Sequence, residues 1–375
     1  MLRLRAERRR LIAAAALLLA CAAAADEPVP PLPTWQDMIR ASPYRESQGM
    51  HGNLATIRRW VLAGDGYCSD KHRHILFDRR MRFIGYLSDA GERAANQTRI
   101  NEQRRQLAEA GRVDAWMPGA AGRIGYPFVL SCNQPDAQLD VAVARYAGEV
   151  EDARLWGTWD GMRVGTPEAP VSVHTAIRQV YEDRRDMGRI SMPEDILSVL
   201  AGHVIIESAG VREALSPAGA RGIMQLSPAA LGDCELAPRF HLHRLAQIDC
   251  ALSLLEQNHR NLEPVFAEHF AGVPGPKAGE LYGLLMIQAY HSGVGRVMAL
   301  MTDDALNGPA RYFVRHHEDF AAADIALGMV FHNLGRRRFG FASLYYVTDV
   351  TLAAGAACDR LGNFPGCSEG AGAPW

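Results

Sequence analysis

Glu207 is the residue of this chain best placed for acid–base chemistry. It ends the run Ile196-Leu197-Ser198-Val199-Leu200-Ala201-Gly202-His203-Val204-Ile205-Ile206, which is apolar on nearly all faces. Soon afterwards the chain enters a stretch of small residues, Ser216-Pro217-Ala218-Gly219-Ala220-Arg221-Gly222. A carboxyl carried on a buried helix loses solvation, which penalises its ionised form and raises its pKa from about 4.3. A glutamic acid poised near pKa ~6 keeps its proton at working pH and can pass it to a leaving oxygen, as the acid of a glycosidase does. The glycines and small side chains that follow let backbone amides approach a ligand closely. Taken alone, the same residue serves as well as a structural ion-pair partner or a cap for the next turn.

A water-using glycosidase needs a second carboxylate about 5–9.5 Å from the first. Asp233, Glu235 and Asp249 are the nearest rivals along the chain, and each also reads as a surface or helix-end charge. Trp156 and Trp159, in Trp-Gly-Thr-Trp-Asp-Gly, fit either a sugar-stacking pair or packing residues. The histidine groups Lys-His-Arg-His (71–74), His-Leu-His (241–243) and Arg-His-His (315–317) lack a carboxylate framework, and imidazoles two apart diverge on a helix. With no CxxC pair and no HExxH in the chain, neither a metal nor another cofactor is expected.

The longer stretch Glu-Ser-Ala-Gly-Val-Arg-Glu-Ala-Leu-Ser-Pro-Ala-Gly-Ala-Arg-Gly-Ile-Met-Gln-Leu-Ser-Pro, Glu207 to Pro228, resembles the soluble lytic transglycosylase family. That family's motif runs Glu-Ser, then Ala-x-Ser-Pro-x-Gly-Ala-x-Gly-Leu-Met-Gln, then a Pro; Ile223 stands here for the Leu. Three later pieces are similar to the same family. Gln247 to Leu255 takes the place of a helix bearing an Asn-Ile pair. Gln288 to Val297, with Tyr290, Gly293 and Gly295, resembles an Ala-Tyr-Asn-Ala-Gly-x-Gly element. Phe339 to Val347 resembles a closing Gly-Phe-Ala segment with a tyrosine. The likeness covers roughly residues 190–355 and leaves 26–165 without a counterpart.

The resemblance implies a mainly α, lysozyme-like catalytic domain that cleaves the MurNAc–GlcNAc bond of peptidoglycan glycan strands. Glu207 falls on the family's single acid, which protonates the glycosidic oxygen and then acts as base. The MurNAc acetamido group supports the developing charge, and the sugar's own 6-hydroxyl attacks C1 to leave a 1,6-anhydro end. Ser216 matches the serine expected at the acetamido group, and Met224 and Gln225 the pair lining the groove. Tyr290 matches the tyrosine of the second element. Tyr346, or Tyr345 if the register slips by one, matches the late tyrosine beside the acid. His291 and Asp249 each replace a family asparagine, and His291 invites a pH-dependent substrate contact. Two other activities stay open: a hydrolytic muramidase of goose-type lysozyme style, and a non-catalytic peptidoglycan-binding scaffold of an envelope machine.

The elements that must position these residues are largely helical. Val173, Ala176, Ile177 and Val180 form a helical stripe. Ser191 and Glu194, with Pro193 between them, read as a capping box that starts the helix of Glu207. Before them, residues 35–165 form an accessory region, α/β or mostly helical, suited to envelope-complex partners. It offers a helix over 96–111 and strand-like pieces in His-Ile-Leu-Phe-Asp, Arg-Phe-Ile-Gly-Tyr-Leu and Tyr-Pro-Phe-Val-Leu-Ser-Cys. Residues 164–170 read as a hinge, so the catalytic domain is expected over 166–375.

Residues 1–25 read as an export signal, a basic start followed by the ten-residue apolar run LIAAAALLLA, too short to span a bilayer. Cleavage before Asp26 would free the chain. Leu18-Leu19-Ala20-Cys21 also resembles a lipoprotein box, with a signal of 1–20 and a lipid anchor to the outer membrane at Cys21. Either way the expected address is the periplasm, with residues 26–34 as a Pro-rich spacer. Six further cysteines suit an oxidising compartment. Their spacing suggests Cys68–Cys132, Cys234–Cys250 and Cys358–Cys367, although six thiols allow 15 pairings. The net charge is −2, and removing five Arg and one Glu with the signal takes it to −2 − 4 = −6, against nucleic acid as a partner.

Overall fold

The computed structural model describes residues 49–64, 72–77, 83–110, 128–131, 138–333, 336–362 and 364–367. The export signal with Cys21, the Pro-rich spacer, Cys68 and Cys132 lie outside the described residues. The described residues are mainly helical. Gly49–Ala63 forms α1, with Leu54, Val61 and Leu62 buried. Three strands follow where short apolar pieces suggested them: β1 (Arg73–Phe77), β2 (Phe83–Ser88) and β3 (Phe128–Ser131). They make an antiparallel sheet in the order β2-β1-β3, with Arg73 opposite Ser88 and His74 opposite Ser131. The charged helix α2 (Arg93–Glu109) lies between β2 and β3 in the chain.

The rest positions the candidate site. Helix α3 (Leu139–Tyr146) leads to the hairpin of β4 (Gly157–Trp159) and β5 (Met162–Val164). Then come α4 (Val173–Asp186), capped by the Ser172 hydroxyl, and α5 (Ile196–Ser208). The short α6 (Pro228–Asp233) precedes α7 (Arg244–His269) and α8 (Gly275–Ser292). Four more helices complete the fold: α9 (Val294–Thr302), α10 (Gly308–Arg315), α11 (Ala322–Phe331) and α12 (Phe341–Leu361).

Helix α5 is buried almost all round, as its uninterrupted apolar sequence requires. Its main neighbour is α12, with α3 and α4 on other sides. A side chain at Gly202 would collide with the Val350 backbone carbonyl, so this glycine sets how closely the two helices approach. Residues before 165 share the same core. Leu54, Val61 and Ile75 join it, as do Met162 and Val164 of the hairpin. Helix α1 packs on α11 and α12.

The start of α5 departs from expectation. The helix begins at Ile196 with Asp195 as N-cap and no side-chain cap bond. Ser191 bonds elsewhere: its amide and hydroxyl donate to Glu256 of α7 at 2.9 and 2.7 Å, and Met192 N donates to the same carboxylate. One distant carboxylate that satisfies three donors outcompetes a local box that would satisfy two.

Two disulfides join the expected partners, Cys234–Cys250 between α6 and α7 and Cys358–Cys367 at the end of α12. The first closes a 16-residue separation. Such a loop is worth about 3 kcal/mol in the chain-entropy model. Replacing both Cys234 and Cys250 with Ser should lower the melting temperature by roughly 6–12 °C. A thermal melt unchanged from wild type would show that the link contributes nothing to the fold. Among the described residues, no helix is long and apolar enough to cross a membrane.

Candidate active site

Glu207 sits on the last turn of α5, and the chain leaves the helix abruptly after it. Ala209 takes a left-handed φ of 52°. The Ser208 hydroxyl donates to the Ile223 carbonyl at 2.7 Å and accepts from Gly210 N at 3.1 Å. One serine thus ties the helix end to the far side of the loop.

The loop's expected site residues prove to hold its shape. Ser216 Oγ accepts from Ala220 N at 3.0 Å and fixes the turn it opens. Gln225, itself at a φ of 47°, donates from Nε2 to the carbonyls of Ala214 and Gly222, both at 3.0 Å. The Met224 side chain is fully buried rather than lining a groove, because it belongs to the core beneath the loop. Only its backbone faces the site, where the Met224 carbonyl accepts from the Tyr290 hydroxyl at 2.8 Å.

The anchor from α7 is Gln247. Buried Gln247 accepts from Met224 N at 3.2 Å and donates to the Arg221 and His241 carbonyls. Its amide fills the space that a Cβ on Gly222 would take, so glycine is needed there. Asp249, two residues on and so across the helix, is clamped by Arg184 at 2.6 and 2.9 Å and accepts from Trp159 Nε1 at 2.8 Å. Trp159 packs edge-on against Phe240 as a structural residue, while Trp156 is exposed.

Around Glu207 three helices converge. Tyr346 of α12 donates its hydroxyl to Glu207 Oε1 at 2.5 Å. Tyr345, the alternative register, faces elsewhere, with the Arg58 guanidinium 4.0 Å above its ring. Burial raises the Glu207 pKa to about 7, against the smaller lowering effect of the Tyr346 hydrogen bond. Asp233 and Asp249 line a cavity of about 160 Å³ with Trp159 and the Cys234–Cys250 disulfide. Glu235 is exposed on a left-handed turn, at a φ of 53°.

His203 went unremarked in the sequence. It lies one helical turn before Glu207, on the same face, and is fully buried. Its Nδ1 is 2.8 Å from the Tyr346 hydroxyl, and its ring stacks on Tyr290 at 4.2 Å. Burial, with a smaller effect from His291, pushes its pKa down to about 3, so the ring is neutral. The available signal was the spacing of four from the acid within a run otherwise free of titratable groups. His291 is exposed and stacks on Tyr346 at 4.3 Å. Desolvation, then Arg296, lowers its pKa to about 4. Other histidines have local tasks: His243 caps α7 and His316 stacks on Tyr312. Comparison with protein-family models and with curated proteins finds no match for this chain.

Proposed function

We propose that the chain is a peptidoglycan lytic transglycosylase with a lysozyme-like catalytic domain, exported to the periplasm, with Glu207 as its one acid and base. The observation that carries this reading is a half-buried carboxyl with a pKa near 7 whose polar partner is a tyrosine hydroxyl. A group with that pKa is matched to both halves of the reaction near neutrality. As the acid, it gives its proton to the glycosidic oxygen as the C1–O bond breaks. The substrate's acetamido carbonyl supports the cationic C1. The resulting carboxylate, stabilised by Tyr346, then takes the proton of the 6-hydroxyl as that oxygen bonds to C1. The proton returns to Glu207 and no water is consumed.

Transglycosylation is favoured over hydrolysis because the three carboxylates weighed as second partners are engaged or exposed: Arg184 clamps Asp249, Asp233 lines a cavity with it, and Glu235 is exposed on a turn, whereas a water-using mechanism needs a second carboxylate. Digestion of purified sacculi by the full chain, read by mass spectrometry, tests the proposal. The expected muropeptides are lighter by one water than reducing-end products. Reducing-end products would make the chain a muramidase, and intact sacculi would leave it without this activity.

A further inference from the structure

We propose that His203 is a positioning residue that acts through Tyr346 to fix which oxygen of Glu207 carries the reactive proton. The inference rests on reading Glu207 as the general acid. The Tyr346 hydroxyl has a single proton and donates it to Glu207 Oε1. The His203 nitrogen 2.8 Å away must therefore supply a proton of its own, which makes Nδ1 the protonated nitrogen. That tautomer leaves a bare Nε2, rather than an N–H, as the buried atom without a hydrogen-bond partner. The chain of donors then runs one way, from His203 to Tyr346 to Glu207. Because Oε1 already accepts, the acid's proton is held on Oε2. Without His203, the Tyr346 oxygen lacks a donor and can accept the Glu207 proton itself, an internal bond that withdraws it from substrate.

The surroundings favour a fixed direction. His203 is held flat by the Tyr290 ring, and Tyr290 is held by the Met224 carbonyl. The titratable groups around the relay are Glu207 and His203 on α5, Tyr290 and His291 on α8, and Tyr346 and Asp349 on α12. Burial raises both tyrosines far above their ordinary range, so neither ionises to reverse the chain. A donor into the Tyr346 oxygen also strengthens the bond that Tyr346 makes, which favours the carboxylate.

Two variants separate hydrogen bonding from packing. His203→Phe keeps a ring against Tyr290 and loses the donor; His203→Asn keeps an N–H near the place of Nδ1 and loses the ring. We expect His203→Phe to lower kcat about tenfold at little cost in KM, and to move the alkaline limb of the pH profile up by about half a unit. His203→Asn should recover most of both. A purely structural role would make Asn the worse variant and leave the limb in place, and that result would overturn the proposal. So would a nitrogen-15 spectrum showing the wild-type proton on Nε2, a measurement that stands even if His203→Phe does not fold. Should the wild type cleave no glycan, the activity reading fails by itself. The carbon-13 titration of Glu207 in wild type and variants then decides the relay: an unchanged midpoint in His203→Phe refutes it, and a raised midpoint restored by Asn sustains it.

Discussion

Glu207→Gln is expected to lose two to four orders of magnitude in glycan cleavage while remaining folded, since an amide of the same shape has no proton to give the leaving oxygen. Turnover of sacculi by the purified variant reads this directly, and near wild-type activity would end the assignment. The same substitution carries a stability signature of defined sign. The folded carboxyl titrates near 7, above its ordinary 4.5. Below pH 4.5 both folded and unfolded chains hold the proton, and the variant gains nothing. Between 4.5 and 7 the unfolded chain releases it first, so wild type loses stability as pH rises. At about 1.4 kcal/mol per pK unit, the shift of about 2.5 units sets an upper bound of about 3–4 kcal/mol on the loss above pH 7. The variant never ionises there, so melts at pH 4 and pH 8 should show it gaining on wild type chiefly at the higher pH. Wild-type cleavage should fall as pH rises through about 7, where the folded acid loses its proton.

Arg58→Met is expected to destabilise the fold by about 3–5 kcal/mol, the cost of leaving a buried charge without its partner. Arg58 of α1 donates to both oxygens of Asp349 on α12, at 2.7 and 2.8 Å, with both residues buried. At 2–4 °C per kcal/mol for a fold of this size, the melting temperature should drop by roughly 10 °C. Activity should fall too, because Asp349 lies one turn from Tyr346 and the pair anchors that part of α12. Arg58→Met combined with Asp349→Leu removes both charges and should recover much of the stability. A single variant that melts with wild type would mean that α1 does not brace the site helix.

The features legible in the sequence were those that need only neighbours along the chain. The three strands of the N-terminal sheet, the stripe of α4 and the buried character of α5 follow from periodicity, and the two short-range disulfides belong to the one arrangement, of the 15 pairings, that spacing suggested. The desolvated state of the Glu207 carboxyl was legible for the same reason, since a carboxylate that ends an apolar helix is desolvated wherever the rest of the chain packs; its proposed role as the acid came from the family resemblance of the stretch Glu207 to Pro228. The tertiary structure alone decided what surrounds it. Tyr346 reaches Glu207 across 139 residues and His203 across 143, distances at which no local pattern distinguishes one tyrosine from the next. The same limit explains why Gln247 holds the loop, why Ser191 serves Glu256 instead of a cap, and why Met224 turns inward. In each case a buried polar group or apolar side chain took the partner that packing brought within reach, and unpaired burial costs more than a local preference can offset.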